Sequence, residues 1–449
     1  MTQLFALHSA YGLATAAAAI DGGLIEASGE RVLVPFHSSR IPETSVGIVA
    51  DPALACLRRR FDRIEDLDEL LGPLHPSSWK PEAAELPVLR RLLTRAWGLD
   101  AHDLELFVQS PQVAPARTLL TLFPHARITI VGDGLMTYSP LRIKLPHTVT
   151  ARIGRVVHAD VVPGVRPLVA SPTAQTVPVP PPLFAAVLRE AADGVALAPD
   201  LADGADTVLV LGQYLAALGL VSDAEEVALQ AAMIDRAAAR SPQRIVFKPH
   251  PSAPPRLTDA LRARAAFHDV EFREYRGPLS AEVLAERLDA RAVIAGFSTA
   301  LPTVSTLFGR EIDAVGADAV LARLTPFENS NRVPAAIVDA MTRPRSPYRH
   351  PARLQLLVDA VGYAMQPVVA RHLRPRAEEL LRELDRDERD RYFAPSRLVE
   401  LRLPGAPADN AVQRVLRPAG GVGRAEELRL TAMGAQRRLG RAWRVLRGL

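Results

Sequence analysis

The stretch Ile245-Val246-Phe247-Lys248-Pro249-His250-Pro251-Ser252 passes from a short apolar run directly into a polar turn bounded by prolines. An apolar run of this length predicts a buried strand, and the turn predicts where that strand ends. The pattern recurs along the chain, with longer Ala-rich or periodic stretches between the runs, which is typical of βα units in a parallel sheet. The sequence therefore predicts an α/β fold. The expected strands are residues 4–7, 32–36, 46–49, 104–108 and 128–131 in a first group, and 207–211, 245–247, 270–272, 293–295 and 312–315 in a second.

The two groups of strands predict two Rossmann-like domains. Residues 171–182 lie between them, and the prolines at 178 and 180–182 leave few backbone donors there, which predicts part of an irregular connection. We therefore expect a first domain at residues 1–185, a second at 186–345, and a helical extension at 346–449 with a basic C-terminal segment.

Composition excludes several classes of protein. A chain of 449 residues with 48% hydrophobic and 23% charged content is not disordered. No apolar run approaches the length of a membrane span, and Cys56 alone permits no internal disulfide or dithiol chemistry. The predicted location is the cytoplasm, or the inner face of the cell membrane.

The charge is unevenly distributed. Residues 401–449 hold ten arginines against three acidic residues, whereas the net charge of the whole chain is +4. The rest of the chain is therefore slightly acidic, and a nucleic-acid partner is not expected. Within residues 424–449, apolar side chains alternate with arginines, which is typical of a basic amphipathic helix on an anionic membrane and equally of a docked terminal helix with a solvated face. These arginines are Arg437, Arg438, Arg441, Arg444 and Arg447.

Polar clusters follow three of the expected strands. Asp133 comes after residues 128–131 and stands between Gly132 and Gly134, and Lys248 and His250 come after 245–247. Ser298 and Thr299 come after 293–295. Because α/β folds place ligands at the carboxyl ends of their strands, we expect these clusters to face one cleft between the two domains.

Each cluster has a chemical interpretation and a structural alternative. Asp133 could take a proton as a general base, or could belong to an ordinary Gly-Asp-Gly turn. His250 and Lys248 suit a phosphate, with Lys248 expected to lower the pKa of His250 by repulsion, or they could form a proline-ordered turn. Ser298 or Thr299 could cap a helix and bind an anion at the same time.

Two further segments are weaker candidates. Gln213 and Tyr214 follow the first strand of the second domain and could reach a base or a sugar, although a satisfied turn is equally plausible. Asn329, Asn331 and Arg332 could line the cleft, with Arg332 meeting a carboxylate through both nitrogens, or pairing at the surface instead.

Five short blocks together resemble the bacterial polysialyltransferase-like glycosyltransferases, which are related to the inverting bacterial sialyltransferases. The resemblance covers residues 1 to about 345. It implies a GT-B arrangement and transfer of sialic acid, or a related nonulosonic acid such as Kdn, from a CMP-activated donor to a glycan hydroxyl, in capsule or surface polysaccharide synthesis. It also implies that the first domain holds the acceptor and the second the donor. The blocks lie at residues 133–136, 211–214, 247–251, 297–301 and 329–332.

The resemblance also implies roles for individual residues. Asp133 matches the family's acidic position and would be the base, while His250 would contact the CMP phosphate and assist its departure. Ser298 and Thr299 would bind the same phosphate. Gly132 stands where relatives often carry a second acidic side chain.

No cofactor is expected beyond the CMP-sugar co-substrate. A CMP donor leaves with one phosphate, which Lys248, His250 and the two hydroxyls could neutralise without a metal ion. Two Asp-x-Asp strings, at 66–68 and 385–387, lie in charged helix-like stretches and predict solvated faces. Three alternatives stay open: another GT-B transferase using a Kdo or UDP-sugar donor, a catalytically silent glycan-binding or scaffold protein, and a teichoic-type polymerase with a CDP-linked donor.

Overall fold

The computed structural model describes residues 1–38, 47–169, 172–250, 253 and 255–407. The basic segment predicted at 424–449 lies outside these residues, as do Val46, Pro251 and Ser252.

The first sheet comprises seven parallel strands. Their order across the sheet is β3-β2-β1-β4-β5-β6-β7. The strands are β1 Thr2–Leu7, β2 Arg31–Pro35, β3 Arg63–Ile64, β4 Leu104–Val108, β5 Arg127–Val131, β6 Ile153–Ala159 and β7 Gln175–Val179.

The second sheet comprises five parallel strands in the order β10-β9-β8-β11-β12. The strands are β8 Thr207–Leu211, β9 Arg244–Lys248, β10 Glu271–Glu274, β11 Ala292–Ala295 and β12 Glu311–Ala314. Two parallel sheets with helical crossovers confirm the predicted α/β class.

Helices connect the strands and complete the C-terminal part. Those of the first sheet are α1 Ala10–Asp21, α2 Ala55–Arg58, α3 Leu67–Leu71, α4 Leu86–Ala96, α5 Ala116–Leu122, α6 His147–Thr150 and α7 Pro181–Ala191. Those that follow are α8 Asp223–Ala238, α9 Pro255–Phe267, α10 Ala281–Arg287, α11 Ala300–Phe308, α12 Ala317–Arg323, α13 Arg332–Thr342, α14 Pro351–Met365, α15 Arg374–Glu383, α16 Arg386–Tyr392 and α17 Pro395–Leu401. Short 3-10 helices lie at Pro52–Leu54, Pro76–Ser78, Gly134–Tyr138, Ala216–Leu218 and Arg371–Leu373.

Two of the predictions about elements are wrong. The expected strand at 46–49 is instead a turn over its described residues, in which Asp51 N–H donates to Gly47 O at 3.1 Å and Ile48 fills the core. Residues 175–179 are not an irregular connection but β7, at the edge of the first sheet, where a proline such as Pro178 is tolerated. Pro181 and Pro182 then begin α7, because the first turn of a helix needs no N–H donor from them.

One apolar core extends from the first sheet to the second. On β1, Phe5 and Leu7 belong to this core, while Leu4 and Ala6 face a separate core on the other side of the sheet, as strand alternation requires. Helices α1, α7, α11 and α13 supply the shared core. The first half is also tied to the second by Thr306 Oγ1, which donates to Val161 O at 2.9 Å.

Candidate active site

Each sheet has one point where the strand order reverses. In the first sheet it lies between β1 and β4, and in the second between β8 and β11. Doubly wound sheets bind ligands in the crevice that opens beside such a point. The residues just beyond these four strands are therefore those to inspect: His8 and Ser9, Gln109, Gln213, and the segment 296–299.

Asp133 follows β5 and is held by the loop that follows β1. Its Oδ1 accepts a hydrogen bond from Ser9 Oγ at 3.0 Å, and its N–H donates to Thr137 Oγ1 at 2.7 Å. The carboxylate is half-buried. A carboxylate that is fixed through one oxygen in this way can receive a proton from a hydroxyl on the other.

Ser9 is itself fixed from two sides. As the N-cap of α1, its Oγ accepts from Gly12 N–H at 3.0 Å, and it also accepts from Gln109 Nε2 at 3.0 Å. The Gln109 side chain is fully buried, and its Oε1 accepts from His8 N–H at 2.9 Å. His8, Ser9 and Gln109 were not among the residues predicted from the sequence, although each follows a predicted strand, as Asp133 does.

Gly132 and Gly134 shape the turn around Asp133. A Cβ on Gly132 would lie 2.7 Å from Thr137 Oγ1 and 2.8 Å from the Cβ of His158, so this backbone leaves no space for a side chain. Gly134 has a φ of 53°, and a Cβ there would lie 3.6 Å from Cζ of the Tyr11 ring. Tyr11 therefore lies beside the turn that carries Asp133.

Tyr11 and Glu282 connect this turn with the second sheet. Burial, followed by the Glu282 carboxyl, raises the pKa of Tyr11, and Asp133 adds to the effect. Burial also raises the pKa of Glu282, which Lys248 opposes. Glu282 thus lies within electrostatic range of Tyr11 from the first domain and Lys248 from the second. No sequence signal pointed to Glu282, because it lies in α10 rather than at a strand end.

Lys248 ends β9 against an aromatic ring. Its Nζ lies 5.2 Å from the centroid of Tyr275 and donates to Gly277 O at 3.4 Å. Burial lowers the pKa of Lys248, and Glu282 opposes this. His250 is an exposed residue. Partial burial lowers the pKa of its imidazole and Glu226 opposes this, so the expected repulsion by Lys248 is not the cause.

The loops after β8 and β11 are joined by a hydrogen bond. Gln213, which is buried, accepts through Oε1 from Phe297 N–H. Ser298 Oγ accepts from Ala300 N–H at 3.2 Å, whereas Thr299 occupies the N-cap position of α11 without a side-chain capping bond. Neither hydroxyl caps α11 as expected, because Ser298 precedes the N-cap position and its bond to Ala300 N–H closes a short turn. Tyr214 is half-buried next to Gln213.

The interpretation of Arg332 as a cleft residue is wrong. Its guanidinium is buried, lies 4.0 Å from the Phe327 ring centroid, and burial lowers its pKa to about 10. It is not a surface ion pair either, because its nitrogens donate to the backbone carbonyls of Leu321, Leu324 and Phe327. It ties the end of α12 to the start of α13.

Asn329 and Asn331 form a turn next to the first domain. Asn329 Oδ1 accepts from Asn331 N–H at 3.0 Å. Ser139 Oγ, at the end of the 3-10 helix that follows Asp133, donates to Ser330 O at 2.8 Å. The segment therefore lies against the first domain close to the Asp133 turn.

A cavity of about 930 Å³ opens beside His8 and Gln109. Among the described residues that line it, none is acidic and five have a basic side chain. These are His8, His37, His75, Lys80 and Arg117. Burial lowers the pKa of His8, and Asp133 opposes the shift. The cavity suits an uncharged or anionic polar molecule, and Gln109 in its wall is hydrogen-bonded to Ser9, which in turn holds Asp133.

The two Asp-x-Asp strings serve as helix caps. Asp66 caps α3 by accepting from Asp68 N–H at 2.9 Å, and Asp385 caps α16 by accepting from Glu388 N–H at 2.9 Å. Across the described residues, no group of three or more His, Cys, Asp or Glu side chains is placed to hold a metal ion. In the same part of the chain, no helix is both long and apolar enough to cross a bilayer.

Solved structures with a similar arrangement share little sequence with this chain. UDP-GlcNAc 2-epimerase from Neisseria meningitidis is 11% identical with a TM-score of 0.40, and the match covers 83% of this chain and 99% of that one. A glycosyltransferase from Rickettsia africae is 10% identical with a TM-score of 0.39, covering 83% and 92%. MurG from Acinetobacter baumannii is 12% identical with a TM-score of 0.38, covering 83% and 97%. At this level the similarities carry no inference about ligand or reaction.

Sequence comparison is more specific. No curated protein sequence matches the chain. The family model of alpha-2,8-polysialyltransferases (POLYST) matches residues 3–311, which is more than half of the chain and spans both sheets up to the first residue of β12. The chain therefore belongs to the alpha-2,8-polysialyltransferase family and is a glycosyltransferase of GT-B type.

Proposed function

We propose that this enzyme transfers sialic acid, or a related nonulosonic acid such as Kdn, from a CMP-activated donor to a glycan hydroxyl, with inversion. The product would enter a capsule or another surface polysaccharide. The observation that carries the proposal is the Asp133 carboxylate, which a hydrogen bond from Ser9 Oγ holds beyond the carboxyl ends of the first sheet's strands, next to the point where its strand order reverses.

The reaction is a single displacement at the anomeric carbon. Asp133 takes the proton of the acceptor hydroxyl as the new C–O bond forms, while the bond to the CMP oxygen breaks on the opposite face. The leaving phosphate gains charge in this step. Groups that meet the developing charge lower the barrier more than groups that bind substrate and transition state equally.

The second sheet offers the groups that would receive the phosphate. Lys248 and His250 follow β9, and Ser298 and Thr299 precede α11, whose first N–H groups favour an anion. Because burial lowers the pKa of His250, the imidazole is neutral at neutral pH until an anion binds. A bound phosphate would raise that pKa, so His250 would bind as imidazolium and could then protonate the leaving group.

The first sheet offers the acceptor site. Gln109 in the wall of the cavity donates to Ser9, which holds Asp133, and the lining carries Lys80 and Arg117 without an acidic side chain among the described residues. A glycan that bears carboxylates is complementary to such a lining. Gln213 would act by holding the donor-side loops together, and Tyr214 is the neighbouring side chain that could contact the base or sugar.

The experiment is to incubate the enzyme with CMP-N-acetylneuraminic acid, CMP-Kdn and CMP-Kdo, with and without candidate glycans, while nucleotide release is followed. Release from the first two donors, dependent on the glycan, is expected. Asp133→Asn should abolish it while leaving donor affinity within a few-fold, and Asp193→Asn, at an exposed position, should leave it unchanged. Release from CMP-Kdo alone, or glycan binding without release from any of the three donors, would contradict the proposal.

A further inference from the structure

A second groove, of about 1030 Å³, lies away from the strand ends that carry Asp133 and Lys248. One wall is the segment 140–145, and the other is formed by α14 and the 3-10 helix Arg371–Leu373. The lining also includes Ile153 and Thr176, near the starts of β6 and β7. Because the strands of this sheet are parallel, the groove meets their amino ends, whereas the active site lies at their carboxyl ends.

The interior of the groove is mainly aliphatic. Leu145 is buried, Leu168, Val169 and Val368 are half-buried, and Ile143 is 39% exposed in spite of its size. A sugar is recognised chiefly by hydrogen bonds and flat aromatic surfaces, which aliphatic side chains do not provide. Hydrocarbon, by contrast, gains free energy simply by covering such a surface.

The edge of the groove is basic. Lys144, Arg166 and Arg371 are exposed on it. The acidic residue in its described lining is Asp359, whose carboxylate is buried and accepts hydrogen bonds from Arg376 and Gln355. The negative charge is thus compensated inside the wall, and the cations at the edge face outward.

The position of Lys144 is of interest because the chain contains few lysines. The chain has 54 basic residues of which three are lysines, and these three lie at the acceptor cavity (Lys80), at the end of β9 (Lys248) and on this groove. Lys144 also follows the exposed Ile143, which Arg142 precedes. An exposed apolar side chain between two cations with long aliphatic stems is the pattern that inserts at the boundary of lipid headgroups and acyl chains.

We propose that this groove docks the enzyme on an anionic lipid surface. Ile143 and the aliphatic floor would take an acyl chain, while Lys144, Arg166 and Arg371 contact headgroup phosphates. A second copy of the chain would have to bring these outward cations against its own basic edge, which charge repulsion disfavours. The proposal concerns binding alone and does not depend on the donor or acceptor assigned above.

The test reports on the groove itself in the full-length protein. In a Cys56→Ser background, an environment-sensitive fluorophore is attached through Ile143→Cys, or through Val88→Cys, which replaces a valine that is 57% exposed on α4. Vesicles of phosphatidylglycerol with phosphatidylcholine are compared with vesicles of phosphatidylcholine alone. We expect a blue shift at position 143 with the anionic vesicles and none at position 88.

Charge reversal provides the second arm. Lys144→Glu/Arg166→Glu should lower the affinity for anionic vesicles, read from the vesicle concentration that gives half of the shift, about thirtyfold. This estimate takes roughly a factor of five for each cation lost near an anionic surface. Arg91→Glu/Arg95→Glu makes the same change of net charge on the exposed side of α4. It should leave the affinity for anionic vesicles within about threefold of the unchanged protein. Residues 408–449 are present in every variant, so any binding by them is common to all.

Each other result would overturn the proposal. No shift at 143, an equal shift at 88, or equal weakening by both charge reversals would show that the groove does not meet the lipid. A shift that grows with protein concentration without vesicles would identify a second copy as the occupant. A shift produced by a soluble anionic glycan would identify that glycan instead.

Discussion

Ser9→Ala should damage catalysis far more than its effect on stability would suggest. Ser9 Oγ is the centre of three hydrogen bonds, each of 3.0 Å, in which it donates to Asp133 and accepts from Gly12 and Gln109. Loss of the cap costs about 1 kcal/mol of unfolding free energy. Loss of a hydrogen bond to an ionised group is worth about 1.5–3 kcal/mol, and here that energy orients the proposed base. If this hydrogen-bond energy stabilises the transition state but not the bound substrate, its loss lowers kcat by about tenfold to a hundredfold.

The chain offers a matched control. Ser222 is also an N-cap, accepting from Glu225 N–H at 3.3 Å at the start of α8, and Ser222→Ala removes the same atom from a second helix. Both variants are compared by chemical denaturation, by donor affinity and by nucleotide release at saturating substrates. We expect both variants to lose stability, Ser9→Ala more so because the buried Gln109 Nε2 is left unpaired. Donor affinity should be unchanged in both, and kcat should fall for Ser9→Ala alone, with partial recovery in Ser9→Thr. If kcat of Ser9→Ala stays within twofold of wild type, Ser9 does not orient the base.

Three other predictions follow from the site. His250→Asn should remove up to one proton from the uptake that accompanies CMP binding near neutral pH, because the lowered pKa of His250 leaves it neutral until a bound phosphate raises that pKa. Calorimetry in buffers of different ionisation enthalpy measures this uptake, and an unchanged value would reject the phosphate contact. Arg332→Met should destabilise the protein by about 3–5 kcal/mol without changing the CMP affinity of the folded fraction, since it leaves two buried carbonyls and one partly buried carbonyl without their donor. Arg323→Met at the surface should cost under about 0.5 kcal/mol, and equal denaturation midpoints would contradict this. On the proposed mechanism, Lys248 and His250 would supply the positive charge, so transfer should survive EDTA and change less than about twofold on adding Mg²⁺. A loss of transfer that Mg²⁺ restores would refute this.

The strands were predictable where an apolar, β-branched run ends in a turn. This holds for β8 and β9, whose residues are buried on both faces of the sheet. It fails at residues 47–49, since the apolar Ile48 is buried by a turn and periodicity cannot distinguish the two. It fails again at β7, because the absence of N–H donors excludes a central strand but not an edge strand.

The same rule locates Asp133 but not its partners. Ser9 and Gln109 are separated by 100 residues, and they meet only because β1 and β4 pair in register, with Ala6 opposite Val108. Which strands pair with each other depends on the tertiary structure and cannot be read from a single sequence. Arg332 was misjudged for a related reason: the carbonyls that bind it belong to the end of α12 and the loop after it, and their direction depends on where that helix stops.

The backbone around Asp133 leaves room for a single carboxylate in this turn. Gly132 N–H donates to Val157 O at 2.8 Å, so residue 132 is still held in the ladder between β5 and β6. Any side chain there would meet Thr137 and His158, and Thr137 cannot withdraw without giving up its own bond to Asp133 N–H. A second acidic residue is therefore incompatible with this turn, and the orientation that it could provide to Asp133 comes from Ser9. It follows that Gly132→Asp should lower activity rather than raise it, even though it would bring the turn nearer to the acidic pair that relatives often carry.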